Sequence, residues 1–187
     1  MAETNNKNIV DKISTNFKNI EVIKNCTDQL SEQKKQKLGF EPYDSVINVE
    51  QKGCGISYGD SILYTYGIDT CTGVAIVDDE KSILMHLDAT TTVAKVIELL
   101  SKINLTSNLQ VLIFPGHSKK NGQFQHEELI KVLTKRNIPF LIKNIPSTYG
   151  YIKIDYDHTI EMVTLFEKKY FSYSNKKKNE NNKNERK

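Results

Sequence analysis

Apolar positions along this chain change their spacing several times, and each change marks an element. Near the N-terminus Ile9, Ile13, Phe17, Ile20 and Ile23 stand three or four apart, the period of one amphipathic helix. Residues 31–37 are charged and read as solvated. Residues 46–49 fit a short strand, and Gly53, Gly55 and Gly59 then punctuate a flexible or tightly turning segment. From Ser61 the apolar content rises and the compact core begins. Residues 62–66, 72–77 and 82–87 read as strands, and the polar turn Asp78-Asp79-Glu80-Lys81 makes the last two an antiparallel hairpin. Residues 90–103 carry Val93, Val96, Ile97, Leu100 and Ile103 on one helical face, with Thr90 or Thr91 able to cap the start. Residues 110–114 form a buried strand ended by Pro115-Gly116. Residues 126–136 form a second amphipathic helix, and 140–143, 151–155 and 160–165 read as closing strands.

The order is strands, helix, strand, helix, strands. Tight turns between neighbouring strands exclude a purely parallel sheet, so the fold class is α+β, with helices packed outside sheet layers. The pattern divides the chain into a polar N-terminal helical extension (residues 1–42), a main domain (43–172) and a disordered Lys/Asn-rich tail (173–187).

Composition narrows the function classes. The chain has 187 residues, 38% hydrophobic and 26% charged, which fits one soluble domain with an ordinary core. No apolar run approaches the ~20 residues that span a bilayer, so no membrane partner is expected. Residues 1–8 are polar and lack the apolar stretch of a signal peptide. A protein folded in the cytoplasm as a monomer is the expectation; delivery into a host cell would leave no readable mark. The net charge of +3 sits in the Lys/Asn tail. No basic stripe with interleaved aromatics is present, so no nucleic-acid partner is expected. Three cysteines (Cys26, Cys54 and Cys71) without a signal peptide argue against a disulfide framework, and no Cys-x-x-Cys pair offers a zinc site.

The chemistry-bearing stretch is Thr65-Tyr-Gly-Ile-Asp-Thr-Cys71-Thr-Gly73, followed by Leu84-Met-His86-Leu-Asp88. Cys71 ends a glycine-bearing loop where a strand begins, and His86 lies late in the next strand. In an antiparallel pair Cys71 comes opposite the end of the other strand, where directly paired Cβ atoms are ~5 Å apart. An imidazole there can take the thiol proton, hold a thiolate–imidazolium pair and later protonate a leaving amine. Backbone N–H groups around Thr70 and Thr72 would form an oxyanion hole. Thr65, by carbonyl or hydroxyl, is the first candidate to orient His86, and Asp88 the second. The plain alternative stays open: a cysteine at a strand start is most often core, and a strand histidine most often structural.

These residues resemble the superfamily of cysteine deamidases that includes the cytotoxic necrotizing factors and the chemoreceptor glutamine deamidase CheD. Thr65-x-Gly67-x-x-x-Cys71, with His86 on the following strand, is similar to the superfamily's Thr, glycine-bearing loop, nucleophilic Cys and His. The downstream order of strand, helix, Ile138-Pro139-Phe140 and Tyr149-Gly150-Tyr151 is also similar, over about residues 60–165. The resemblance implies a layered α/β/β/α sandwich of mixed sheets and cofactor-free hydrolysis of a glutamine side chain in a partner protein. Cys71, His86 and Thr65 would be its catalytic residues, and the role would be that of a toxin or injected effector. Asp69-Thr70-Cys71 stands where the deamidases carry Gly-Ser-Cys or Ser-Gly-Cys. Met85-His86-Leu87-Asp88-Ala89-Thr90 is similar to a stretch of the N-terminal asparagine amidohydrolases, a second reading. Transglutamination by the same intermediate and a non-catalytic binding module on the same fold are further alternatives.

Other features carry less. Gly53, Cys54 and Gly55 read as a turn around a buried cysteine, or as a substrate loop, since glycine lets backbone approach a ligand. They are assigned with Asp69 to substrate binding. His117 and His126 lack a third ligand at metal spacing, so no metal is expected. Residues 118–122 read as an exposed loop.

Overall fold

The structure, a computed structural model, describes residues 27–88, 90–92, 94, 96–98, 109–116, 122–143, 150–163 and 168–171. The helix expected over residues 9–23, Cys26, His117 and the tail from residue 173 lie outside the described residues.

Two mixed sheets pack face to face. The first has the order β1-β2-β4-β9-β10-β11. Its strands are β1 (Thr27–Gln29), β2 (Val46–Val49), β4 (Ile62–Tyr66), β9 (Tyr151–Ile154), β10 (Ile160–Val163) and β11 (Lys168–Phe171). The second has the order β3-β6-β5-β7-β8, built from β3 (Cys54–Ser57), β6 (Ser82–Leu87), β5 (Thr72–Val77), β7 (Gln110–Pro115) and β8 (Phe140–Ile142). β2 runs parallel to β4 and β7 parallel to β8; the other pairs are antiparallel. A short helix α1 (Glu32–Leu38) precedes β2, and α2 (Gly122–Lys135) lies between β7 and β8. The molecule is therefore an α+β sandwich.

Strand alternation sorts side chains into separate cores. Between the sheets lie Val49, Leu63, Ala75, Val77, Leu84, Leu112, Phe114, Ile152 and Ile160. On the other face of the second sheet, Val74, Ile76, Ile83, Met85, Val111 and Ile113 pack against Leu129 and Leu133 of α2. β5 and β6 are buried at every position, because one face meets a sheet and the other a helix layer. On the outer face of the first sheet, Leu30, Val46, Ile62 and Tyr64 bury one another with Phe40 and Tyr151.

Several elements differ from the sequence reading. The ordered sandwich begins before Ser61, because β1 pairs with β2 and β2 with β4. Cys54–Ser57, expected as a turning segment, is a strand paired with β6. Gly55 faces the inner core there, and a Cβ on it would come 2.7 Å from Val49 and 3.2 Å from Leu63. That glycine serves close sheet packing rather than a turn, which is why punctuation alone misread it. Of the helix expected over 90–103, residues 94 and 96–98 are helical and Val96 is buried against the second sheet. β11 was not anticipated.

Candidate active site

The hairpin of β5 and β6 forms as the polar turn requires, with Thr72 paired to Leu87 and Gly73 to His86. The same register sets Cys71 on the diagonal from His86, rather than directly across. Gly73 occupies the opposite position, and a Cβ on it would lie 2.5 Å from Ile152 and 2.6 Å from Ile68. Cys71, Gly73 and His86 share the face that looks into the sandwich, at the end where β4 and β2 also terminate.

The loop from Gly67 to Cys71 is held at several points. Gly67 has φ +71, a conformation glycine adopts without strain, and its N–H donates to the Gly150 carbonyl at 3.1 Å. Ile68 is fully buried in the inner core and plugs the loop onto it. The Asp69 N–H donates to the Gly67 carbonyl at 2.9 Å. Gly116, just past β7, abuts the carbonyls of Asp69 and Cys71 so closely that any Cβ there would collide with both.

Thr65, fully buried on β4, reaches across the sandwich to His86. Its Oγ1 lies 2.6 Å from the Val49 carbonyl and 2.8 Å from His86 Nδ1. A carbonyl only accepts, so the hydroxyl proton goes to Val49 and the oxygen must accept from Nδ1–H. That fixes the tautomer. The other ring nitrogen, Nε2, is then an acceptor, and it is buried with no hydrogen-bond partner among the described residues. The orienting group is thus the Thr65 hydroxyl. Asp88 is engaged elsewhere: its Oδ1 accepts from the Thr90 N–H at 2.9 Å and from the Thr90 and Thr91 hydroxyls at 2.9 and 3.0 Å.

Cys71 and His86 line one cleft of about 470 Å³, together with Tyr66, Gly67, Thr70 and Gln51. Burial pushes the Cys71 thiol above its ordinary range, and the Asp88 and Asp69 carboxylates add to this, while hydrogen bonds from Thr70 and Gln51 oppose it. Burial pulls the His86 imidazole below its ordinary range, with Asp88 opposing. Both shifts disfavour the charged forms, because the pair sits at a core edge where desolvation outweighs nearby polar groups.

Placement of the remaining sequence-assigned residues is uneven. Thr70 is exposed at the cleft wall, whereas Thr72 is fully buried and paired with Leu87 and Pro115 inside the sheet. Asp69 is half-buried beside the cleft. Gly53, Cys54 and Gly55 are not brought to the cleft. Cys54 faces the helix-side core, where burial lifts its thiol to about 12. Gly53 acts through its backbone: its carbonyl accepts from the His86 N–H at 3.0 Å.

Sequence reasoning missed Gln51. Residues 50–53 link β2 in one sheet to β3 in the other, closed by the Gly53 N–H donating to the Glu50 carbonyl at 2.8 Å, with Lys52 at φ +69. The turn carries the Gln51 amide to 3.6 Å from the Cys71 sulfur. A glycine directly after a polar triplet between two short apolar runs was the available signal for such a turn. Among the described residues, no group of three His, Cys, Asp or Glu side chains could hold a metal, and no helix is long and apolar enough to cross a membrane.

No protein-family model matches this chain, and no curated protein matches it. Among solved structures it is similar to the crystal structure of the C-terminal domain of CNFy from Yersinia pseudotuberculosis. That match has 13% identity and a TM-score of 0.36, and covers 71% of this chain and 62% of that one.

Proposed function

We propose that this chain is a cysteine hydrolase that deamidates a glutamine side chain in a partner protein through a thioester. One observation carries the reading: His86 shares a cleft with Cys71, its Nδ1–H is tied to Thr65, and its Nε2 is a buried acceptor with no hydrogen-bond partner among the described residues. A histidine kept for structure alone would have both ring nitrogens satisfied, because an unmade buried hydrogen bond costs about 1–3 kcal/mol.

The chemistry follows from a neutral pair. As Cys71 Sγ adds to the carboxamide carbon, its proton passes to His86 Nε2, and the carbonyl π pair moves onto oxygen. The imidazolium then protonates the departing nitrogen, the C–N bond breaks, ammonia leaves, and a thioester remains. Water, deprotonated by the again neutral His86, adds to the thioester; the thiol leaves with that proton, and a carboxylic acid is released. Thr65 keeps Nδ1 protonated throughout, so Nε2 always faces the reaction.

The experiment is mass spectrometry of candidate proteins after incubation. Deamidation adds about one mass unit at glutamine and requires Cys71. The same gain with Cys71→Ala overturns the reading. Peptides with N-terminal asparagine, run beside internal glutamine, separate the N-terminal asparagine amidohydrolase reading, and added primary amine separates transglutamination.

A further inference from the structure

Attack on an amide carbonyl creates an oxyanion one bond from the carbon that joins the sulfur. A donor serving it must stand close to the sulfur and have an N–H or O–H aimed toward it. Thr72, one of the two backbone donors expected from sequence, is buried inside the sheet, which leaves Thr70 on the cleft side. The side chain of Gln51 stands where a second donor is needed. Its Nε2 lies 3.6 Å from Cys71 Sγ and 3.5 Å from Asp88 Oδ2.

The Asp88 contact decides which end of the amide faces the sulfur. A carboxylate accepts only, so it repels the Gln51 carbonyl oxygen and draws the NH2 end inward. Asp88 is itself fixed. It is buried, three donors from Thr90 and Thr91 hold its Oδ1, and Lys52 Nζ stands 3.6 Å from Oδ2. One N–H of Gln51 then points to the carboxylate and the other to the Cys71 sulfur, from which it can turn to an oxygen developing beside that sulfur. A donor of this kind works at ~2.7–3.1 Å from the oxyanion, a range compatible with its present distance from the sulfur.

We infer that Gln51 is the side-chain donor of the oxyanion hole and that Asp88 is its positioning residue. This rests on Cys71 acting as an acyl-transfer nucleophile, as proposed above. The two failures can be told apart with small probes on the full chain. Acylation is followed with 4-nitrophenyl acetate: Cys71 Sγ forms the thioester and 4-nitrophenolate leaves with the bond pair. Alkylation is followed with iodoacetamide, where sulfur displaces iodide from a saturated carbon and no oxyanion forms. Both reactions require the same sulfur to lose its proton to the same His86, so their ratio at one pH cancels any change in thiol activation.

Gln51→Ala is expected to lower the ratio of Cys71-dependent acylation to alkylation about 100-fold, the loss typical of a missing oxyanion donor. Gln51→Asn, with a shorter arm, should recover little. Asp88→Asn, which no longer forces the amide orientation, should lower the ratio by less than Gln51→Ala. An unchanged ratio in Gln51→Ala, whether both rates hold or both fall together, overturns the donor role. Wild-type acylation no faster than that of Cys71→Ala removes the nucleophile reading and this proposal with it. Far-ultraviolet circular dichroism of each variant shows that the rates compare folded proteins.

Discussion

The site turns on how few protons its buried groups have to share. Thr65 brings one hydroxyl proton and two lone pairs to a place where a carbonyl and an imidazole both need a partner. Thr65→Val keeps the shape and removes that arrangement, leaving the Val49 carbonyl and His86 Nδ1 unpaired. Hydrolysis is expected to fall by between about tenfold and ~10⁴-fold, the loss when a triad loses its orienting carboxylate. Stability should drop by about 1–3 kcal/mol for each group left unpaired, and Thr65→Ser should recover most of both, as read by rate assays and chemical denaturation. The pH profile of kcat/KM in the wild type carries the same logic. In the proposed mechanism the pair works in its neutral form, and with the His86 pKa lowered, activity is expected to be lost only as pH falls below the usual histidine range. Because the Cys71 pKa is raised, the alkaline limb lies above the usual thiol range. An acid limb at or above the unperturbed histidine pKa of ~6.5 would contradict this.

At the level of elements, the loop that ends in Cys71 is a short connection that changes sheets, from β4 to β5. Ile68 plugs it from below and Gly116 seats it from the side. A methyl at Gly116 meets only backbone carbonyls, which cannot turn aside as a side chain can, so Gly116→Ala must push the loop. Small misplacements at a reacting centre cost rate steeply, on the order of 10²-fold for ~1 Å. Gly116→Ala is therefore expected to lower Cys71-dependent acylation by about that factor while Tm moves by only a few degrees. A variant that keeps wild-type acylation would show that the loop does not need this seat. The turn from β2 to β3 is the second sheet-changing connection at the same end, and it delivers Gln51. Both connections lie where the two sheets' strands end, which is why the cleft lies there.

Across the whole molecule, the two described free cysteines report on different things. Cys71 opens on the cleft, while Cys54 lies between the second sheet and its helix layer with a thiol lifted to about 12. In native protein, an alkylating reagent should modify Cys71 and leave Cys54 untouched. With increasing urea, Cys54 labelling should rise along the same curve as loss of circular dichroism, because exposing it requires the sheet and helix layers to part. Cys54 labelling well before that transition would mean that the helix layer opens separately from the sandwich.

The reading from sequence was sound where local pattern governs. The hairpin of β5 and β6 follows from alternating runs around a charged turn, and its register alone puts Cys71 and His86 on one face. The α+β class, with helices outside sheet layers, follows from the order of periods along the chain, whereas the layered sandwich was what the family resemblance implied. Thr65 was legible as the orienting group, though the choice of hydroxyl over carbonyl was not, since it depends on Val49 lying 2.6 Å away on another strand. Gln51 was illegible for a similar reason: its turn joins two sheets, and only their packing carries residue 51 beside residue 71. The same packing withdrew Cys54 and Gly55 from the site and made them core, because a strand's two faces look alike in sequence until something covers each. Periodicity along the chain determines which residues share a face. Which faces meet, how dry the place between them is, and hence whether a thiol and an imidazole rest charged or neutral, is decided by packing between segments far apart in sequence.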